Sequence, residues 1–450
     1  MGLRVPMGKT KSAAGHICLA LSISASIVSF APTTLAQQTG RTVRHHRVEE
    51  QDVGADLLNE AETNLAKQDY AAAEPLLKKY LETYPESYAA WYDLGYLYQA
   101  VGKNTDAITA YKRSITAKPD VFESNLNLGL ILAQAEDPQA EQYLRAATKL
   151  KPTSNSTRGQ KRAWMALGQL LENSKSDEAI TAFQKAETLD PSDPEPHLTA
   201  GTLLEREQKI PEAEQEYRQA LSIAPDSPDT LSAIGNFYMR EKRFDEAQTI
   251  LKKLVSVHPN DASGHFQLGR MLAISNKNDE AAAEMEAGLK LDPADSRAQR
   301  DLADMYAASG KYDRAAELYS NLLRSNPNDA GLHFAQGRIL LKQKKPAEAQ
   351  QELVRAVQLK PQWGEAYGEL AIAADENKDY ALAIKATDTR AQYLPENPMS
   401  YFLRATAYDH LRDPKQAARY YHQFLEVAGG KYPDQEWQAQ HRLIAIEPKK

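Results

Sequence analysis

Apolar and polar positions alternate with a helical period across residues 88–120. Trp91, Leu94, Gly95 and Tyr98 fall at i, i+3, i+4 and i+7, which predicts a helix with one apolar face. Gly102-Lys103-Asn104 interrupts it, because glycine readily takes the left-handed conformation that ends helices. Ala107, Tyr111 and Ser114 follow at i, i+4 and i+7 on a second helix, and Pro119 stops that one. Two short antiparallel helices are expected, with Gly95 and Ala107 where their backbones meet. Neither buries its apolar face within so short a unit. The unit needs neighbours.

The chain supplies them. Prolines with the same flanking pattern stand at 85, 119, 152, 191, 225, 259, 293, 327, 361 and 395, spaced by 34 residues except for one interval of 33 and one of 39. The second-helix alanine returns in step from Ala73 and Ala107 to Ala383 and Ala417, and the Leu94-Gly95 pair returns as Leu128-Gly129, Leu167-Gly168, Ile234-Gly235 and Leu268-Gly269. A fixed period of this kind predicts a stacked array of about eleven repeats, from about Gly54 to Gly430.

The spacing of Trp91, Leu94, Gly95, Tyr98, Ala107, Tyr111 and Pro119 resembles the tetratricopeptide repeat. That resemblance implies an all-α fold, a right-handed α-solenoid of about eleven helix-turn-helix repeats with a C-terminal capping helix. Repeats one to three are placed at 54–152 and repeats four to eleven at 161–430. Residues 153–160 lengthen one proline interval and are read as an inserted loop, with a hinge or docking loop as the sharper alternative. Residues 431–450 are read as a capping helix and tail, apolar inside and polar outside. Trp164 takes the Trp91 position, and both indoles are expected in the core.

Residues 1–36 read as a signal peptide. Arg4, Lys9 and Lys11 precede an apolar core at 17–30, and Thr34-Leu35-Ala36 offers small residues for cleavage. An uncleaved anchor is the rival reading, and Gly15-His16-Ile17 before Cys18 does not resemble a lipid-attachment box. Cleavage would remove Cys18, the only cysteine, and so exclude disulfides and thiol chemistry from the mature chain. It would also remove three basic and no acidic residues, taking the formal net charge from −7 to −10. A mildly acidic chain of this kind argues against general nucleic-acid binding. Residues 37–53 are expected to be a disordered polar linker, whose Arg41, Arg44, His45, His46 and Arg47 form a basic cluster. Asn155-Ser156-Thr157 matches a glycosylation acceptor, relevant only in a eukaryote.

The resemblance further implies that the first helix of each pair lines a concave groove that takes an extended peptide or a helix. Counting from the Trp91 position places Leu58, Tyr92, Tyr96, Leu126 and Leu130 there in early repeats, and Phe266, Arg270, Arg297, Arg300, Asp304, Phe334 and Arg338 in late ones. The arginines would grip carboxylates or phosphates over an apolar floor of Phe266 and Phe334. The plainer alternative is that they pair with nearby Asp or Glu. The carboxylate clamp of chaperone-binding members is only half matched, with Ser232 and Asn236 in its positions.

No G-x-S-x-G, H-E-x-x-H, G-x-G-x-x-G or P-loop pattern is present, so no enzyme, cofactor or metal is expected. His197, His265 and His333 recur in the Trp91 position of alternate repeats, too far apart to share one ion, and are expected to pack. The function expected is an exported scaffold or adaptor that binds a protein or peptide segment, periplasmic or secreted from a bacterium. The alternatives are a structural part of an envelope machine (pilus, polysaccharide export or outer-membrane protein assembly) and a non-catalytic targeting subunit of an envelope enzyme.

Overall fold

A computed structural model describes residues 55–153 and 156–447. Residues 1–36 and 37–53, read above as a signal peptide and a polar linker, lie outside the described residues, as does Asn155. The described residues form 23 α-helices and no strand, and within each of two compact units, residues up to 171 and from 172, each helix packs against the next. Eleven successive A–B pairs run from Ala55–Ala66 with Tyr70–Thr83 to Pro398–His410 with Pro414–Ala428, and the helix Pro433–Ile446 follows. The all-α solenoid architecture expected from the period is present.

The helix starts follow from local chemistry. A helices open on short oxygen-bearing side chains: Ser87, Ser227, Asp261, Asp295, Asp329 and Asn397 each accept a backbone N–H of the first turn. Many B helices open instead on a cation that makes no cap. Four of these cations reach back to acids near the start of the preceding B helix: Lys103–Glu74 at 3.6 Å, Lys209–Asp177 at 3.0 Å, Arg243–Glu214 at 2.7 Å and Lys311–Asp279 at 2.6 Å. Neighbouring pairs are thereby tied along the B-helix side.

The turn between A and B is a Schellman closure. In the repeat that opens at Tyr88, Gly102 is left-handed at φ 77° and Lys103 N–H donates to Tyr98 O at 2.8 Å. The same turn recurs with non-glycine residues at the left-handed position, including Gln208 and Lys242 at φ 60° and 59°. Glycine is therefore not what ends most of these helices. The six-residue closure does so, overriding the strain that a side chain adds there.

Glycines of the A helices admit the large side chains of their B partners. A Cβ on Gly95 would sit 2.7 Å from the Tyr111 ring, and one on Gly235 would sit 2.5 Å from Leu251. So Gly95 meets the Tyr111 ring rather than the Ala107 backbone, although Gly269 and Gly337 do approach the carbonyls of Ala281 and Ala349. Tyr111, Tyr217, Tyr319 and Tyr421 are buried, each turning its hydroxyl onto a polar A-helix side chain: Gln99, Glu205, Asp304 and Asp409. Three of these partners stand eight residues beyond the Trp91 position. In the pair containing Tyr319 that place holds Ala307, which offers no acceptor, and Asp304 is used instead.

Two expectations are corrected here. Residues 153–160 are not a loop: the helix runs Ser156–Leu171, 16 residues against the usual 13, so most of the insertion is an added helical turn. Thr153 is pinned through N–H and hydroxyl to the Glu123 carboxylate, and the Gln160 amide donates to Leu150 O. The chain divides into two compact units after Leu171, not at the insertion. In the first unit, one hydrophobic core runs from Leu58 to Ala140. In the second, the largest runs from Leu204 to Ile339, with further clusters to Ala439. The last helix does lay Ala439, Leu443 and Ile446 on the final pair. Its outer side is not polar throughout: Trp437 and Ile444 are 61% and 71% exposed.

Candidate protein-binding face

The Trp91 position turns out to be a clasp. The indole N–H of Trp91 donates to Pro85 O at 2.7 Å, and the side chains of Asn125, His265, Gln299 and His333 make the same bond to the proline carbonyl six residues back, at 2.7–3.1 Å. Where the position holds Leu231 or Tyr401, a cation replaces it: Lys253 donates to Pro225 O and Arg390 to Pro395 O. Hydrogen-bonding capacity explains a position where Trp, Asn, His and Gln alternate, which size and hydrophobicity do not. Trp91 and Trp164 are half-buried rather than core.

The groove positions separate into two groups. Tyr92, Leu126 and Phe266 are 5%, 3% and 5% exposed and belong to the interior, as does Leu58. Tyr92 packs on Tyr111 at 5.9 Å, and burial holds its phenol well above the usual range. These four are corrected from binding surface to core: bulky apolar side chains one step past the clasp fill the space between consecutive helices. Tyr96, Leu130, Arg270, Asp304, Phe334 and Arg338 are half-buried, and Arg297 and Arg300 are exposed.

The arginines are mostly engaged. Arg270 Nε pairs with Asp301 at 2.7 Å, Arg300 Nη1 with Asp329 at 3.7 Å, and Arg338 Nε with Glu369 at 3.5 Å. Each pair joins one A helix to the next, so the track is a charge ladder across Ala262–Ile274, Ser296–Ala308, Ala330–Lys342 and Gly364–Glu376. Among the described residues Arg297 has no ion-pair partner. Arg300 lies over Gly331, where a Cβ would come within 2.9 Å of its guanidinium. Arg338 sits over the Phe334 ring at 5.6 Å, and Phe334 meets Trp363 at 4.5 Å. Burial raises the carboxyls of Asp304 and Glu369 above their usual range; the Tyr319 hydroxyl and then Arg300 oppose this at Asp304, and Arg338 opposes it at Glu369. Trp363, Asp301, Asp329 and Glu369 were not found from the sequence. Their signal is the acid 29 to 31 residues after each arginine, close to one repeat.

The chain belongs to the tetratricopeptide-repeat family. The family model described as the Cilia and flagella-associated protein 70 C-terminal domain, of tetratricopeptide type, matches residues 30–301, and the tetratricopeptide-repeat model matches 275–330, 300–362 and 334–398. No curated protein sequence matches significantly. Among solved structures, PilF of Pseudomonas aeruginosa is similar at 21% identity, over 47% of this chain and 97% of its own, with a TM-score of 0.40. YrrB, a tetratricopeptide protein with an unusual peptide-binding site, is similar at 19%, over 46% and 99%, with a TM-score of 0.38. Yeast Tom70 is similar at 14%, over 88% and 96%, with a TM-score of 0.33. Tetratricopeptide-repeat proteins are generally non-catalytic scaffolds, and the fold supports protein–protein interaction.

Proposed function

We propose that this chain is an exported adaptor that holds an extended protein segment along the A-helix face between Ala262 and Glu376. The observation that carries the reading is the Arg270–Asp301, Arg300–Asp329 and Arg338–Glu369 ladder beside the Phe334–Trp363 pair. Side chains already set in place lose little freedom on binding. The Arg300–Asp329 contact at 3.7 Å is loose and exposed. A pair of that kind is worth little, so a partner carboxylate exchanges with it readily. Arg297 adds a cation beside it, and Phe334 with Trp363 offers an apolar seat. The segment expected is acidic opposite Arg297 and Arg300, with an apolar residue one repeat away. The N-terminal leader pattern supports export to a periplasm or exterior.

Arg297→Glu combined with Arg300→Glu is expected to cut capture of the partner from envelope extracts by at least about tenfold, while the thermal midpoint moves little because both residues are exposed. Unchanged capture removes the arginine track from the reading. A second reading, a fixed part of an envelope machine, is favoured by exposed Trp437 and Ile444 on the last helix. Recovery of the chain in a stoichiometric membrane complex supports that one; many substoichiometric segments support the adaptor.

A further inference from the structure

Three repeats carry the same partly buried pair. The Nδ1 atoms of His197, His265 and His333 lie 2.6, 2.7 and 2.6 Å from carboxylate oxygens of Glu216, Glu284 and Glu352. Ten residues before each histidine, on the preceding B helix, stand Glu187, Val255 and Leu323. Val255 and Leu323 pack against the hydrophobic core. Glu187 puts a carboxylate where its two counterparts put hydrocarbon. Its Oε1 is 3.5 Å from His197 Nδ1 and is buried without a hydrogen-bond partner. The ligand atoms of Glu187, His197 and Glu216 all lie within 4.8 Å of one another, on side chains 14–15% exposed.

We propose that Glu187, His197 and Glu216 bind a divalent transition-metal ion of the zinc class. With both carboxylates ionised the trio carries net negative charge even beside a protonated imidazole, and among the described residues no lysine or arginine pairs with either carboxylate. Two carboxylates removed from water beside a single cation are costly, and a divalent ion balances them. An imidazole nitrogen with two carboxylates suits zinc and its neighbours, whereas calcium and magnesium prefer oxygen donors throughout. Tetrahedral zinc with N and O ligands at about 2.0–2.2 Å sets them roughly 3.4 Å apart. His197 Nδ1 and Glu187 Oε1, 3.5 Å apart, are close to that separation, and Glu216, 2.6 Å from Nδ1, would give up its hydrogen bond to reach it. Three protein ligands leave a fourth position for water or a partner's side chain. The ion would tie together the helices Ser176–Leu189, Glu195–Arg206 and Ile210–Ile223, and so stabilise by linkage.

The site does not depend on the proposed adaptor role. Its test is zinc titration of the full chain by calorimetry, with the visible spectrum of the cobalt(II) form as a second readout. Glu187→Val copies the residue its counterpart position carries, and Glu187→Gln keeps the shape if the valine form does not fold. Each is expected to lose one zinc per chain, or to weaken that binding by at least about tenfold, and to lose the cobalt bands. Without metal both are expected to melt no lower than the parent chain. Glu284→Gln, at the equivalent pair without a second carboxylate, is expected to change neither readout. A wild-type chain that binds no zinc, or Glu187 variants that bind it as the wild type does, would overturn the site.

Discussion

Tyr319→Ala is expected to lower stability by about 3–5 kcal/mol, the range for emptying a fully buried aromatic site. Tyr319 is 2% exposed within the largest core cluster, so no solvent fills the gap. Its hydroxyl donates to Asp304, one of the residues expected on the binding face, so the core holds that carboxylate from beneath. Tyr319→Phe keeps the packing and removes only the donor, for a loss of about 1–3 kcal/mol near neutrality. Burial already raises Asp304 above its ordinary range, so its contribution to stability is full below that range and is lost as pH rises through the folded-state value. Loss of a donor to the charged form raises it further. The deficit of Tyr319→Phe is therefore expected to be smaller at acid pH than at neutral pH. Denaturant melts at the two pH values check this, and equal deficits would contradict it.

Arg404→Ala is expected to cost about 3 kcal/mol and to loosen the last repeat selectively. Arg404 is 3% exposed and bridges Asp388 at 2.8 Å, Glu396 at 2.6 Å and the Thr387 carbonyl at 2.9 Å. It thereby fastens the connection that enters Pro398–His410. Arg404→Lys should recover little, since one ammonium does not reproduce a planar fork across three acceptors. Hydrogen exchange should show faster opening in 398–446 with the earlier helices of that unit unchanged. A uniform effect, or none, would contradict this role.

The repeat period made the fold legible before any coordinate, because proline, glycine and alanine mark turns and close approaches at fixed intervals. The close approach of the two helices at glycine was also legible, though what meets it first is a large side chain, as Leu251 meets Gly235, rather than a second backbone. The binding face was read less well. Tyr92 and Phe266 look like surface aromatics on a helical wheel, yet the B helix of their own pair packs on them through Tyr111 and Gly288, and a wheel drawn on one helix omits its neighbour. The arginine partners were missed for the same reason: Asp301 and Glu369 lie one repeat away, beyond any local window. Glu187 carries no local signal: it stands out only against Val255 and Leu323, which hold its place on the helix before each of the other two histidines.

A photo-cross-linking residue at position 297, on the A-helix face, compared with one at position 317 on the exposed side of a B helix, reads the location of binding directly. One defined protein should attach at 297 and not at 317, and the adduct should fade when Arg300 is changed to Glu. Adducts that form equally at both positions, or that ignore Arg300→Glu, would contradict binding along the A-helix face.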